Sequence, residues 1–176
     1  PLGLNVYQWP DNVPYSLDRL FAAWRCSVAQ YPRDLEIVWT LGLRGRYDHP
    51  FWSDIPNAPQ TPEGRGRLIR EAIEGQMEIV RKGWHDPNPT FILNTWMEGS
   101  ALVRSGALRI PAGVNLVWAD DGGGLLRDGG LIREGEGVYY HTGVLGGNAN
   151  NFTEKVPVTR IARELGRAAK ARATTY

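Results

Sequence analysis

The chain has 176 residues, with 20 basic and 19 acidic side chains and a formal net charge of +1. That length suffices for one domain with a real core, and the near-neutral balance leaves no electrostatic footprint for nucleic acid or an anionic membrane surface. No apolar run approaches the length of a membrane span, and the one cysteine, Cys26, cannot close an internal disulfide.

The stretch from Pro1 to Tyr15 is proline-rich, aromatic and aperiodic, and reads as a loop. Ser16 is placed as an N-cap, with Leu17, Leu20, Phe21, Trp24 and Val28 following at helical spacing and Cys26 read as a small core residue. Tyr31-Pro32 ends that helix. Glu36 to Leu43 is apolar and β-branched, the pattern of a parallel strand buried on both faces, and a polar loop runs from Arg44 to Gln60. Thr61-Pro62-Glu63 opens a second helix, with proline at the first helical position and a stripe of Leu68, Ile69, Ala72, Ile73, Met77 and Val80 running to about Lys82. Phe91 to Trp96 is a second strand, Gly99 to Ala107 a short helix, and Val114 to Ala119 a third strand. A glycine-rich loop with one helical turn is expected from Gly122 to Glu136, then a fourth strand from Val138 to His141. Asn148 to Pro157 reads as loop. The last helix, Thr159 to Arg172, should turn Ile161, Leu165, Ala168 and Ala169 inward.

Strands alternating with helices imply an α/β fold of parallel strands joined by right-handed crossovers. Four such strands make about half of a TIM-type (β/α)8 barrel, which usually needs about 250 residues. The chain begins at Pro1 rather than methionine and stops after a helix, where another strand is due. The expectation is therefore one partial barrel domain spanning residues 1–176, truncated at both ends.

Each strand runs straight into residues that can do chemistry. In a parallel barrel the strand C-termini open onto the face that carries the active site. After the first strand come Arg44 and Asp48. An arginine there can grip a carboxylate through its planar fork, and Asp48 can orient it or act as a base; a plain Arg44–Asp48 ion pair pinning the loop is the simpler alternative. Pro50-Phe51-Trp52 beside them suggests a substrate wall. Glu98 follows Trp96 and Met97, apolar surroundings of the kind that raise a carboxyl pKa and suit a general acid; equally, it can be a first-turn acid on a helix dipole. Asp120 and Asp121 precede three glycines, and neighbours in an extended chain point opposite ways, so one should face the site while the other braces the loop. His141 closes the fourth strand. A metal centre drawn from Asp48, His49, Asp120, Asp121 and His141 is a competing reading, against which the chain has no closely spaced histidine pair. No phosphate-loop fingerprint is present. The seven tryptophans and seven tyrosines fit either large core residues or a carbohydrate site with aromatic stacking faces.

Gly42-Leu43-Arg44-Gly45 with Asp48 behind it, Trp118-Ala119-Asp120-Asp121 and Gly137-Val138-Tyr139-Tyr140-His141 together resemble the xylan α-glucuronidases of glycoside hydrolase family 115. The resemblance implies a glycosidase with no cofactor or metal. It would remove glucuronic acid or its 4-O-methyl form from xylan or a related polysaccharide with inversion, and would act outside the cytoplasm. Asp48 and Glu98 would be the catalytic carboxylates, with Arg44 and His141 as uronic-acid contacts; Trp96, Asp120 and Asp121 are read beside them as substrate-binding residues. The partner is a polysaccharide or oligosaccharide, not nucleic acid or membrane, and the full-length protein has room for a homodimer. Gly122, and Thr142-Gly143-Val144-Leu145 after the histidine, depart from the family pattern where substrate would be held. A non-catalytic carbohydrate-binding relative is the alternative, and a metal-dependent barrel hydrolase stands behind it.

Overall fold

The computed structural model describes residue 14 and residues 16–45, 49–53, 55–145 and 153–174. Packing divides the chain into two compact units, Pro1–Leu93 with Ser105–Val114, and Asn94–Arg104 with Asn115–Tyr176.

In the first unit, helix α1 (Leu17–Gln30) starts where Ser16 accepts a hydrogen bond from the Arg19 backbone N–H, and it buries Leu20, Trp24 and Val28. Helix α2 (Pro62–Gly83) starts on Thr61, whose hydroxyl accepts from the Gly64 N–H, with Pro62 at the first helical position where its missing donor costs nothing. All six expected stripe residues are buried, Ala72, Ile73 and Val80 completely. Burying a Leu or Ile side chain of this kind stabilises by about 1.5–3 kcal/mol. The stripe also contains a polar residue, Gln76, with no exposed surface at all. Strand β1 (Val38–Thr40) is shorter than its apolar run, because the chain turns at Gly42, whose φ is +125°. There an added Cβ would stand 2.9 Å from Leu93 Cδ1, so both the backbone and the space require glycine. Burial on both faces is not met: Trp39 is buried while Val38 is 44 % exposed. Cys26, expected in the core, is exposed on α1 and accepts a contact from Gln30.

Strand β2 (Thr90–Thr95) pairs with β1 in parallel, Trp39 opposite Phe91. In the second unit, α3 (Glu98–Arg104) follows the end of β2, and β3 (Val114–Ala119) pairs in parallel with β4 (Gly137–Tyr139), Trp118 opposite Val138. The strand order is β1-β2-β3-β4. Parallel strands alternating with helices are the pattern of about half of a TIM-type (β/α)8 barrel. The stretch after β3 forms turns but no helical turn. Within the expected loop, the short strand β6 (Thr153–Lys155) pairs antiparallel with β5 (Gly143–Leu145); three residues are too few to carry a readable periodicity. Helix α4 (Val158–Lys170) buries Ala168 as expected, but its other buried residue is Glu164, and Ala169 is exposed. No described helix is long and apolar enough to cross a membrane.

Candidate functional site

The ends of β2, β3 and β4 bring three of the expected residues together within the second unit. Trp96 follows β2, Asp120 follows β3 and His141 lies just past β4. The Trp96 and His141 rings are 5.5 Å apart, and Tyr139 stands edge-on to both, 4.8 Å from His141 and 6.3 Å from Trp96. Sequence reasoning left Tyr139 out, although its position two residues before His141 puts both on the same side of an extended chain. Tyr139 is 46 % exposed. The indole Nε1 of Trp96 is buried and meets no hydrogen-bond acceptor among the described residues.

Asp120 is the hub. It is completely buried, and its Oδ1 lies 2.5 Å from His141 Nδ1. Its Oδ2 accepts from the Gly124 N–H at 3.0 Å and the His141 N–H at 3.4 Å. A buried carboxylate so placed requires a donor at Nδ1, which fixes the imidazole orientation and directs Nε2 away from Asp120. Gly124 makes this approach feasible. Its φ is +82°, and a Cβ there would lie 2.5 Å from Val156 and 2.7 Å from the Tyr140 hydroxyl, which itself donates to the Gly124 carbonyl at 2.7 Å.

Asp121 does the other job. It is exposed, and one carboxylate oxygen accepts from the Gly123 and Leu125 N–H groups at 2.8 and 3.0 Å. Burial pushes its pKa up, but these backbone donors and the nearby Arg127 outweigh that and hold it below the ordinary value. The division between neighbouring acids is thus a division between ring orientation and loop bracing.

Glu98 opens α3, half-buried, in the first-turn position that favours an acid. Before it, Met97 has φ +42°, a left-handed conformation that is strained for a side-chain-bearing residue and marks the tight passage from β2 into α3. Met97 is 44 % exposed, so the apolar wall on the glutamate is thinner than its sequence neighbours suggest. Around this turn the buried Thr95 donates to the Val117 carbonyl at 3.2 Å, and Ser100 donates back to the Thr95 carbonyl.

Arg44 is half-buried in the first unit, two residues past Gly42. The turn before it is held by Gln76, whose amide makes a two-point pair with the Gly42 backbone: Gly42 N–H to Oε1 at 2.8 Å and Nε2 to the Gly42 carbonyl at 2.9 Å. A glutamine inside an otherwise apolar stripe was the available signal for this clamp. Asp48 lies outside the described residues. Phe51 is withdrawn into the core and packs edge-on against Trp52, over which Arg65 sits at 4.4 Å, so the expected wall is largely internal packing. Among the described residues no three His, Cys, Asp or Glu side chains gather as a metal-binding group.

No curated protein matches the chain. A solved structure of a family GH115 4-O-methyl-α-glucuronidase, BtGH115A, described as specific for decorated arabinogalactans, superposes with a TM-score of 0.70 at 20 % identity. The match covers 98 % of this chain and 23 % of that one, so the chain spans about a quarter of that structure's length and shares its fold there. Residues 7–176 match glycosyl hydrolase family 115, and the chain belongs to that family.

Proposed function

We propose that the protein supplies part of the catalytic face of an inverting glycoside hydrolase that removes glucuronic acid or 4-O-methylglucuronic acid from xylan or a related uronic-acid-bearing polysaccharide. The observation that carries this reading is the grouping of Trp96, Asp120 and His141 at the ends of consecutive strands in a chain that matches family 115 over nearly its whole length.

The uronic acid differs from a neutral sugar by its carboxylate, and Arg44 provides a planar, permanently charged fork for it. His141, its ring oriented by Asp120, presents Nε2 to the sugar, and Trp96 with Tyr139 gives an apolar surface on which a pyranose face can lie. In this reading Glu98 is the acid that protonates the departing glycosidic oxygen and Asp48 the base that activates water, the two roles an inverting hydrolysis requires. Further segments of a full barrel would complete the pocket. Decorated arabinogalactan, the specificity described for BtGH115A, is the second substrate worth testing beside glucuronoxylan.

The test is release of the uronic acid from both polysaccharides with chelator present, following the anomer formed by NMR. Release of the β-anomer first, unaffected by chelator, is the expected result. Loss of activity with chelator would favour the metal-dependent hydrolase, and binding without release would favour a carbohydrate-binding relative.

A further inference from the structure

Asp120 can hold His141 only as well as the chain that wraps Asp120 is itself held. That chain turns through the three glycines and returns beside the end of β3. Asp120 and Leu126 form an antiparallel bridge, the Asp121 N–H donates to the Leu125 carbonyl at 2.9 Å, and the Arg127 N–H donates to the Ala119 carbonyl at 3.0 Å. The returning leg is then tied to α4. The Leu126 N–H donates to Glu164 Oε2 at 3.3 Å, and Glu164 is only 7 % exposed. Arg167 joins this carboxylate at 3.2 Å and forks Asp128 at 2.6 and 2.7 Å. Asp128 is fully buried and also accepts from the Gly130 and Ile132 N–H groups at 3.0 and 3.4 Å. One guanidinium therefore reaches the returning leg at Leu126, through Glu164, and directly at Asp128.

We propose that Glu164 and Arg167 of α4 are positioning residues for the Asp120–His141 couple. The planar fork fixes α4 and the returning leg in one register, and the antiparallel bridge passes that register to Asp120. Neither residue touches the His141 ring. Their effect is on how continuously the ring's Nδ1–H finds its acceptor, and it rests on the functional reading above only for its consequence in turnover.

The experiment is NMR of the protein labelled with nitrogen-15 histidine, reading the solvent-exchange rate of the His141 Nδ1–H proton. Glu164→Gln keeps shape but removes the charge facing Arg167, and Arg167→Lys keeps charge but cannot fork Asp128 while reaching Glu164. Both changes are small enough to leave the fold intact, which circular dichroism verifies. In both variants the Nδ1–H should exchange on the order of tenfold faster, as a local opening does, while the Val117 amide in β3 keeps its native rate. Arg172→Lys, which alters an exposed pair with Glu134 on the surface, should change nothing. Native Nδ1–H exchange in both Glu164→Gln and Arg167→Lys would overturn the proposal, and so would equal acceleration at Val117, which would make the network a general prop of the fold. Exchange is read without substrate, so a protein inactive on uronosides with the expected exchange pattern would fail the functional reading alone.

Discussion

Trp24, Tyr31, Trp39 and Trp84 of the first unit meet with ring centroids 5.5–6.5 Å apart, mostly edge to face. Trp96, Tyr139 and His141 of the second unit meet at 4.8–6.3 Å in much the same geometry. Their surroundings separate them. Trp24, Trp39 and Trp84 are at most 6 % exposed, whereas Tyr139 is 46 % exposed and the His141 side chain 25 %. The first cluster has its aromatic area already removed from water, so its contribution is stability. The second keeps surface for a ligand and contains a titratable ring held by a buried carboxylate, at strand ends where a barrel does its chemistry. Composition allowed both uses of the tryptophans; Trp24, Trp39 and Trp84 take the core one, while Trp96 is half-buried beside Tyr139 and His141.

The sharpest way to test the functional side of this contrast is Glu98→Gln. If Glu98 is the general acid, turnover on polysaccharide should fall by about 10²–10⁴-fold while an aryl uronoside with an activated leaving group is spared, since only the step needing the proton is lost. Asp48→Asn should depress both substrates if Asp48 activates water. Equal losses on both substrates for Glu98→Gln would remove its role as acid.

Arg44→Lys comes next. An ammonium cannot reproduce a two-point grip, and a charge-assisted hydrogen bond is worth about 1.5–3 kcal/mol, so kcat/KM on uronosides should drop by roughly 10–150-fold. An unchanged kcat/KM would return Arg44 to a loop-pinning role.

The two aromatic clusters can be set directly against each other. Trp39→Ala, in the buried cluster, should cost about 3–5 kcal/mol in denaturant unfolding. Tyr139→Ala should cost much less, near the ~0.5 kcal/mol scale of surface changes, while weakening sugar binding measured by calorimetry. The reverse ranking would break the comparison.

The smallest effect concerns acid. Burial pushes the Asp128 pKa up, but the Arg167 fork and the backbone donors more than offset this and hold it below the ordinary value; Glu164 is lowered in the same sense. A carboxylate with a depressed folded pKa stabilises the fold above its unfolded value, about 3.9 for Asp, and loses that contribution as pH falls through the folded value. Stability against thermal unfolding should therefore fall below about pH 4, and Asp128→Asn should flatten that decline. An identical acid limb in the variant would exclude Asp128 as its source.

The helices were legible because their signals are local. Ser16 and Thr61 cap as their side chains dictate, and α2 buries the stripe read at helical spacing. Each strand was likewise placed within a few residues, because an apolar β-branched run between turn signals is also a local pattern. What stayed hidden depends on partners far along the chain. Gln76 interrupts an apolar stripe, and only the fold brings the Gly42 backbone against its amide, 34 residues away. Glu164 and Arg167 carry no local signal of their roles, and only the fold supplies the buried Asp128 and the Leu126 N–H that draw them in. The sequence by itself determined the alternation of strands and helices, the caps and the residue types at the strand ends, since these follow from periodicity and short-range hydrogen bonding. Which of Asp120 and Asp121 holds His141, and how α4 secures the loop that follows them, was decided by tertiary structure alone. A buried carboxylate is stable only where donors from several distant segments converge on it, and no local pattern records that convergence.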